Sequence, residues 1–313
     1  MKQYLIFDIG GTFVKYALMN ENADILENDK IPTRRDSAEG LLVSMKEIAD
    51  KYAGRFEGCA ISMPGRIDTQ NGVAITAGAL NRFLGGFAMG PEFSKLIQMP
   101  VVCANDGKCA AAAEAWQGAL SDVENGFVVV FGTGLGGGIV IDHKAYFGTH
   151  FSSGEISGMV FDGKMMSDDY HAPSVYDPRR TSPGWAYYSS ASSLMRQYKE
   201  YTGLPFETEV TGEEFFEKVR NGDEAANTVF DRFAEYTAVG FYNIQILFDV
   251  EKIAISGGIS NAPELLPKLQ ESFHDLFRRM EHTPAVEPEI VKCRYGSEAN
   301  LVGALKIYMD QVG

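Results

Sequence analysis

The sequence is poor in cysteine and arranges the few it has without any metal-binding or disulfide pattern. Its four cysteines are Cys59, Cys103, Cys109 and Cys293. Because no two form a C-x-x-C pair, we expect reduced, buried thiols in a cytoplasmic protein. Three of the five histidines lie within 29 positions of one another, and these are His143, His150 and His171. Without a neighbouring cysteine, their spacing fits no closed tetrahedral zinc motif, so we expect no zinc.

Several other signals are missing. No uninterrupted apolar run is long enough to span a bilayer, and no basic-apolar leader opens the chain. The net charge of −14 argues against a nucleic-acid or anionic-membrane surface. No G-x-x-x-x-G-K-[ST] phosphate loop occurs in the chain. We therefore expect a cytoplasmic protein that binds neither nucleic acid nor membranes and has no Walker-type nucleotide site.

What is present is an ordinary globular composition, with 45% hydrophobic and 22% charged residues. A length of 313 residues predicts two domains. The most informative stretch is residues 4–12, an apolar strand that carries Asp8 near its end and breaks into Gly10, Gly11 and Thr12. A second strand resumes over residues 13–18, so the glycines form a turn between antiparallel strands.

This first turn has two interpretations. Glycines let backbone N–H groups approach an anion closely, and Asp8 would suit a hydrated Mg²⁺ beside a phosphate. Alternatively, the glycines form a simple hairpin turn and Asp8 is its polar lip. The strand–glycine–strand pattern returns at residues 125–142, where a strand runs into a glycine turn over 132–138 and then a strand over 139–142. Two copies favour a duplicated fold that holds a phosphate chain from both sides of a cleft.

The second turn also matches the dinucleotide fingerprint G-x-G-x-x-G at Gly132, Gly134 and Gly137. That fingerprint requires a helix after its last glycine, whereas β-branched residues follow here and predict a strand. We therefore interpret the match as a coincidence and the site as a hairpin-type nucleotide clamp.

Polar residues in four places are candidates for a second ligand. Asn105 and Asp106 stand between a strand (101–104) and an alanine-rich helix (109–119), where they are either a helix N-cap or catalytic groups. Gly65 lies in the turn after the strand 56–62, and Asn81 lies in a loop of small residues over 77–86. Glu155 lies in a glycine-flanked loop, as either a solvated charge or an acceptor for sugar hydroxyls.

The remaining pattern predicts helices and strands in alternation. Helical spacing covers residues 38–52, 93–99, 192–201, 212–221, 223–248, 263–280 and 298–309, and further strands cover 252–256 and 286–293. The strand 252–256 leads into Gly257 and Gly258. Residues 151–193 are predicted to be rich in loops.

These motifs together resemble the ROK family of sugar kinases and sugar-responsive repressors. The matching residues, in order, are 8–12, 105–106, 132–138, 154–155 and 256–258. The resemblance implies an α/β, actin-like or ribonuclease H-like two-domain fold with a duplicated core and an interdomain cleft. It implies a smaller N-terminal domain over 1–120, onto which the C-terminal helix (298–313) packs back, and a larger domain over 121–297.

The resemblance also implies an ATP-dependent sugar kinase that uses Mg²⁺ and phosphorylates the 6-hydroxyl of a hexose or β-glucoside. Asp106 would be the general base, and the other sugar contacts would be Asn105, Glu155, Gly65 and Asn81. The phosphate contacts would be Gly10, Gly11, Thr12, Gly132, Thr133, Gly134 and Gly136. Gly257 and Gly258 would line the adenosine site, and Asp8 would face the metal. A homodimer is left open.

The sequence departs from the family pattern in two places. The family's Gly-Glu-x-Gly-His becomes Gly154-Glu155-Ile156-Ser157-Gly158 here, without the histidine. No cysteine or carboxylate falls in residues 180–188, where the family has a zinc loop and a sugar-binding glutamate. The resemblance is therefore to members without zinc, such as β-glucoside kinases. Trp185, Tyr187 or Tyr188 could then stack on a second sugar or an aglycone.

Alternatives within the family are a glucokinase, a fructokinase or an N-acetylmannosamine kinase. A repressor of the family would need a helix-turn-helix before the first strand, and the seven residues before Asp8 leave no room for one. A non-catalytic actin-like nucleotide-binding or sugar-sensing protein would share the clamp. It would not need Asn105, Asp106 or Glu155.

Overall fold

A computed structural model describes residues 1–161, 184–280 and 285–312 of the chain. The chain forms two compact units. The first comprises Met1–Gly118, Lys144–Ser153 and Ser297–Gly313, and the second comprises Ala119–His143 and Gly154–Gly296. The predicted division into domains over 1–120 and 121–297 stays a prediction. None of the helices in the described ranges is long and apolar enough to cross a bilayer.

The first unit is built on a five-stranded sheet with the order β3-β2-β1-β4-β7. The strands are β1 (Gln3–Ile9), β2 (Phe13–Asn20), β3 (Ile25–Pro32), β4 (Cys59–Met63) and β7 (Val101–Asn105). A two-stranded sheet of β5 (Ile67–Asp68) and β6 (Val73–Ala74) and the short strand β10 (Lys144–Tyr146) complete its strands. β1 pairs antiparallel with β2 and parallel with β4, which pairs parallel with β7. Strands β1 and β4 are almost wholly buried, as their apolar runs predict.

Five helices belong to the first unit. They are α1 (Ala38–Lys51), α2 (Asn81–Leu84), α3 (Met89–Ile97), α4 (Asp106–Gln117) and α10 (Ala299–Val312). The alanine-rich α4 is buried over most of its length and packs on α10. This packing is close because a Cβ atom on Gly303 of α10 would overlap the carbonyl group of Cys109 on α4. Small residues thus let the two backbones approach.

The second unit contains a sheet in which β9, β8, β11 and β12 are neighbours in that order. Its strands are β8 (Gly126–Phe131), β9 (Leu135–Ile141), β11 (Lys252–Gly257) and β12 (Glu289–Lys292). β8 pairs antiparallel with β9 and parallel with β11, which pairs parallel with β12. The order β9-β8-β11-β12 repeats the order β2-β1-β4-β7 of the first sheet. In each case an antiparallel hairpin is followed by two strands parallel to its first strand. The predicted duplicated α/β core is therefore confirmed.

Helices α5 to α9 cover the second sheet. They are α5 (Trp185–Ser189), α6 (Ala191–Thr202), α7 (Gly212–Arg220), α8 (Glu224–Phe248) and α9 (Leu265–Arg279). An aromatic-rich core joins them to β8 and includes the fully buried Trp185 and Phe241. α5 and the start of α6 lie where a loop-rich region was predicted. Helix α5 begins at the fully buried Trp185. Helix α6 is capped by Ser190, whose side chain accepts a hydrogen bond from the Ser193 N–H at 3.0 Å.

All four cysteines are buried thiols that form no disulfide, as predicted. Burial raises the pKa of the Cys103 thiol to about 12. Such thiols are poor nucleophiles, so the cysteines are core residues.

Candidate functional site

Three parallel strands of the first sheet end together at one edge, which we call the carboxyl edge. Asp8 of β1 is in register with Ser62 of β4, and Met63 of β4 is in register with Asn105 of β7. Asp106 follows directly as the first residue of α4. This edge therefore brings together predicted site residues that are almost a hundred positions apart in the sequence.

Asp8 is a buried carboxylate, only 7% exposed. Its Oδ1 atom accepts hydrogen bonds from Ser62 Oγ at 2.9 Å and from Asn300 Nδ2 at 3.1 Å. Burial raises the pKa of Asp8, and these two hydrogen bonds together with the charge of Lys15 oppose that effect. The sequence analysis missed both Ser62 and Asn300. Asn300 had no signal, because it lies 292 positions from Asp8 on α10.

The first glycine turn is shaped by hydrogen bonds of its backbone. The Gly10 N–H donates to the Phe13 carbonyl at 3.0 Å. Two carbonyl groups of the turn accept hydrogen bonds from Thr33. The Thr33 hydroxyl donates to the Gly10 carbonyl at 2.7 Å, and the Thr33 N–H donates to the Thr12 carbonyl at 2.9 Å. Gly11 and Thr12 are exposed, and neither Gly10 nor Gly11 has a positive φ. These glycines are therefore suited to close approach of a ligand rather than to a left-handed backbone.

Asn105 and Asp106 are at once a helix cap and an oriented polar pair. Asn105 Oδ1 accepts from the Lys108 N–H at 3.1 Å, which makes Asn105 the N-cap of α4. Its amide nitrogen donates to Asp106 Oδ1 at 2.9 Å and to the Gly65 carbonyl at 2.8 Å. The Gly107 N–H also donates to Asp106 Oδ1, at 2.8 Å. Asn105 is buried whereas Asp106 is partly exposed, so the cap fixes a carboxylate that a ligand can reach.

Helix α4 begins three residues before the predicted start at Cys109. The sequence analysis also missed Lys108, whose side chain is almost fully buried and whose Nζ lies 3.4 Å from Asn105 Oδ1. A lysine inside an alanine-rich helix gave no sequence signal for burial.

The local backbone requires glycine at position 65, and the side chain of Asn81 bonds a neighbouring loop residue. Gly65 has a φ of +93°, and a Cβ atom there would lie 2.8 Å from the Cα of Ala77. Asn81 is exposed at the start of α2, and its Oδ1 atom accepts from the Ala77 N–H at 3.1 Å. The turn after β4 and the loop 77–86 are thus packed on each other, with Gly65 bonded to Asn105.

The second glycine turn is shorter than predicted. Gly132 donates its N–H to the Gly134 carbonyl at 3.0 Å, but β9 already begins at Leu135. Gly136 is paired with Val130 inside the sheet, so it lies in β9 rather than in the turn, and its predicted contact with the nucleotide stays a prediction. The hairpin pairing from Phe131 onward draws the later glycines into the strand. The prediction that a strand and not a helix follows this run is confirmed.

Gly137 of β9 allows the loop that carries Glu155 to approach the strand closely. A Cβ atom on Gly137 would overlap the Gly154 carbonyl oxygen and lie 3.0 Å from an Ile156 side-chain carbon. The loop that carries Glu155 therefore lies directly on β9. Ser157 holds it there, because its hydroxyl accepts from the Leu135 N–H at 3.1 Å and donates to the Leu135 carbonyl at 2.5 Å. Glu155 itself is exposed on this loop.

Gly158 stands where the family pattern has a histidine. It is exposed, and a Cβ atom added there would meet no atom of the described residues within 4 Å. Of the three aromatic residues suggested as a stacking surface, Trp185 is fully buried and stacks on Phe161 at 5.6 Å. Tyr188 is 9% exposed and packs on Tyr236 at 4.5 Å. Their large buried contacts exclude both from stacking on a ligand, so those two suggestions are wrong.

Tyr187 alone of the three is partly exposed, with the Arg196 guanidinium 3.7 Å from its ring centroid. In the described residues, no group of three or more histidine, cysteine, aspartate or glutamate side chains could hold a metal ion. His143 and His150 are exposed, and His171 lies outside the described residues.

Gly258 borders a cavity of about 600 Å³ in the second unit, and Gly257 directly precedes it in the chain. Gly257 has a φ of +105°, and a Cβ atom there would lie 2.7 Å from backbone atoms of Phe131, so only glycine fits. Residues that line the cavity include Glu213, Phe216, Arg220, Gly258, Ile259 and Asn261. A pocket with one aromatic ring, glycine at its edge and charged groups at its rim can hold a planar heterocycle with a polar attachment.

The repeated sheet order and the two glycine hairpins define an actin-like, ribonuclease H-like protein, and the predicted fold class is confirmed. A ROK family protein from Streptococcus pneumoniae, solved in complex with sucrose, has the same fold with a TM-score of 0.84. It is 27% identical, and the alignment covers 99% of each chain. The model of the ROK family matches residues 4–311. This chain belongs to the ROK family.

Curated relatives in this family are named as sugar kinases. The chain is 31% identical over 299 residues to a β-glucoside kinase of Klebsiella pneumoniae, covering 96% of this chain and 93% of the relative. It is 27% identical over 311 residues to an N-acetyl-D-glucosamine kinase of Aliivibrio fischeri, covering 96% and 97%. The predicted enzyme class, a phosphotransferase acting on a sugar, is confirmed at this level.

Proposed function

We propose that this protein transfers the γ-phosphoryl group of ATP to the 6-hydroxyl of a hexose or, in preference, of a β-glucoside such as cellobiose. The observation that carries the proposal is the orientation of Asp106. Two hydrogen bonds converge on its Oδ1 atom, from Asn105 Nδ2 and the Gly107 N–H, while the residue remains partly exposed. A carboxylate fixed at a helix N-terminus and still reachable is suited to act as a general base.

Asp106 would accept the proton of the sugar hydroxyl as its oxygen attacks the γ-phosphorus. The new bond joins O6 to phosphorus, the bond from phosphorus to the bridging β,γ-oxygen breaks, and ADP leaves. Phosphoryl transfer needs little covalent work by the protein and depends on in-line positioning and charge neutralisation. Asn105 orients the base, and Gly65, Asn81 and Glu155 are the other proposed contacts of the sugar.

The glycine turns would bind the phosphates. Gly11 and Thr12 have exposed backbone in a turn whose carbonyls are held by Thr33. Gly132, Thr133 and Gly134 form the corresponding turn of the second unit. Backbone N–H groups in such turns form concave sites for anions. The adenosine would occupy the cavity beside Gly258, which Phe216 and Ile259 also line.

Asp8 fits a contact with Mg²⁺ that is bound mainly through the phosphates of ATP. It is a single buried carboxylate next to the first turn, and Mg²⁺ in such sites is typically held by one or two carboxylates together with phosphate oxygens. The ion would neutralise charge on the phosphates. Ser62 and Asn300 fix the Asp8 carboxylate by bonding its Oδ1 atom.

The preference for a β-glucoside rests on Gly158. In the part of the chain that the structure describes, the space beside this residue is open, so a substituent larger than a hydroxyl could be accepted there. The name of the Klebsiella pneumoniae relative supports the same substrate class. The relatives named for N-acetyl-D-glucosamine support the main alternative, a kinase of a free monosaccharide.

The test is ATP turnover against glucose, cellobiose, N-acetylglucosamine, N-acetylmannosamine and fructose, with the phosphorylated carbon assigned by NMR. We expect kcat/KM for cellobiose to equal or exceed that for glucose, with phosphate on C6 of the non-reducing glucose. A tenfold preference for any monosaccharide would refute the open-pocket proposal. Absence of turnover with every sugar would refute the kinase.

A further inference from the structure

Arg66 occupies a fixed position in the turn that follows β4. Its N–H donates to Thr76 Oγ1 at 3.0 Å, and its carbonyl accepts from the Thr76 N–H at 3.1 Å. Gly65, directly before it, accepts the hydrogen bond from Asn105. The backbone of Arg66 is therefore held on one side by Thr76, which directly precedes the loop 77–86, and on the other, through Gly65, by the cap of α4.

The side chain of Arg66 has no partner in the described part of the chain. The residue is partly buried, and its Nε atom is buried without a hydrogen bond. Four other arginines of this acidic chain pair with carboxylates, and these pairs are Arg34–Asp36, Arg55–Glu27, Arg196–Glu200 and Arg220–Glu264. A guanidinium does not lose its charge in proteins and carries five N–H donors. The buried Nε donor without a hydrogen bond requires an explanation, and a ligand rich in oxygen atoms supplies one.

The surroundings of Arg66 indicate which ligand. Its neighbours are the proposed sugar contacts, because Gly65 is adjacent in sequence and the Thr76–Ala77 segment bonds Asn81. We propose that Arg66 is a specificity-determining residue that donates hydrogen bonds to hydroxyl oxygens of the acceptor sugar. Its planar fork can bond two neighbouring oxygens at once, as it does with carboxylates. This inference rests on the proposed kinase function and deepens it.

The experiment compares Arg66→Met and Arg66→Lys with the parent enzyme and with Arg35→Met. Arg35 is an exposed arginine of the same unit, so its variant controls for the loss of one positive charge. KM for the preferred sugar, KM for ATP and kcat are measured separately. We expect Arg66→Met to raise the sugar KM by about 10- to 100-fold, the range for a hydrogen bond to a charged group.

We also expect kcat and the ATP KM of Arg66→Met to stay within about threefold of the parent. Arg66→Lys should fall in between, because it keeps the charge but loses the fork. A fall in kcat with an unchanged sugar KM would show contact with the transferred phosphoryl group and overturn the proposal. A sugar KM within twofold of the parent in both Arg66 variants would overturn it as well.

Sugar binding without ATP separates this inference from the proposed function. The shift in melting temperature caused by the sugar alone is measured for the parent, Arg66→Met and Arg35→Met. We expect the sugar to stabilise the parent and Arg35→Met but to need at least a tenfold higher concentration for Arg66→Met. An equal response of all three proteins would overturn the role of Arg66 while leaving the kinase proposal intact. A parent that binds the sugar but does not turn over ATP would refute only the kinase.

Discussion

The contact between α4 and α10 can be tested by adding a single methyl group. Gly303→Ala places a Cβ atom 2.8 Å from the Cα of Cys109 and in overlap with the carbonyl group of that residue. The obstructing atoms belong to the backbone of α4, so no side-chain rotation can relieve the overlap. One of the two helices must move, and α4 carries Asp106 on its first turn.

The expected magnitude is the difference between two effects. Alanine in place of glycine favours a helix by about 1 kcal/mol. Overpacking a well-packed contact costs about 1–3 kcal/mol, and a backbone obstacle places this case at the upper end. We therefore expect a net loss of about 2 kcal/mol, which lowers the melting temperature by about 4–8 °C.

Thermal unfolding followed by circular dichroism measures the loss, and Gly296→Ala is the matched control. A Cβ atom on Gly296 would meet no atom within 4 Å in the described ranges of the chain, so that variant should melt within about 1 °C of the parent. We also expect Gly303→Ala to reduce turnover, because α4 shifts with its base. If Gly303→Ala melts at or above the temperature of the parent, helix propensity outweighs the contact and the close packing of α4 on α10 is refuted.

Three further predictions follow from the carboxyl edge, the glycines of β9 and the missing metal motif. Because burial raises the pKa of Asp8, the folded state holds its proton more tightly than the unfolded state, and the ionised carboxylate costs stability above the raised pKa. Asp8→Asn should therefore raise the free energy of unfolding at pH 8, and this gain should disappear as the pH falls towards 3.8. Turnover of the variant should drop. Urea unfolding at several pH values measures the difference, and a variant less stable than the parent at pH 8 would contradict the prediction. Gly137→Ala should push the Gly154 carbonyl off β9 and raise the sugar KM more than the ATP KM, and equal changes in both constants would refute the supporting role of β9. The purified protein should hold far less than one zinc per chain and should not unfold with chelators, and stoichiometric zinc after dialysis would contradict this.

Most of the architecture could be predicted because strong periodicity coincides with tertiary burial. The helix predicted over 223–248 is observed as Glu224–Phe248, since its cap Asp223 and its apolar spacing are both local signals. The glycine run of 132–138 shows where local signals fail. Glycine marks a turn and a close backbone contact equally well, and only pairing with β8 reveals that Gly136 and Gly137 belong to a strand.

In the candidate site, the residues that could be predicted are those at the ends of apolar strands. Asp8 and Asp106 could be predicted because one lies near the end of an apolar strand and the other comes just after one. Asn300 and the unpartnered state of Arg66 depend on neighbours far away in the sequence, and no local pattern encodes them. Trp185 and Tyr188 of α5 show the reverse error, since aromatic side chains pack in cores more often than they bind ligands, and both are buried.

The turnover of Asp106→Asn tests the central claim most directly. Asparagine keeps the Oδ1 acceptor for Asn105 and the Gly107 N–H, so the cap of α4 and the binding of ATP and sugar should be preserved. Loss of a positioned base predicts a decrease of about 10²- to 10⁴-fold in kcat, measured by phosphate transfer to the preferred sugar at saturation. A kcat within about threefold of the parent would show that Asp106 is only part of a helix cap and would contradict the account.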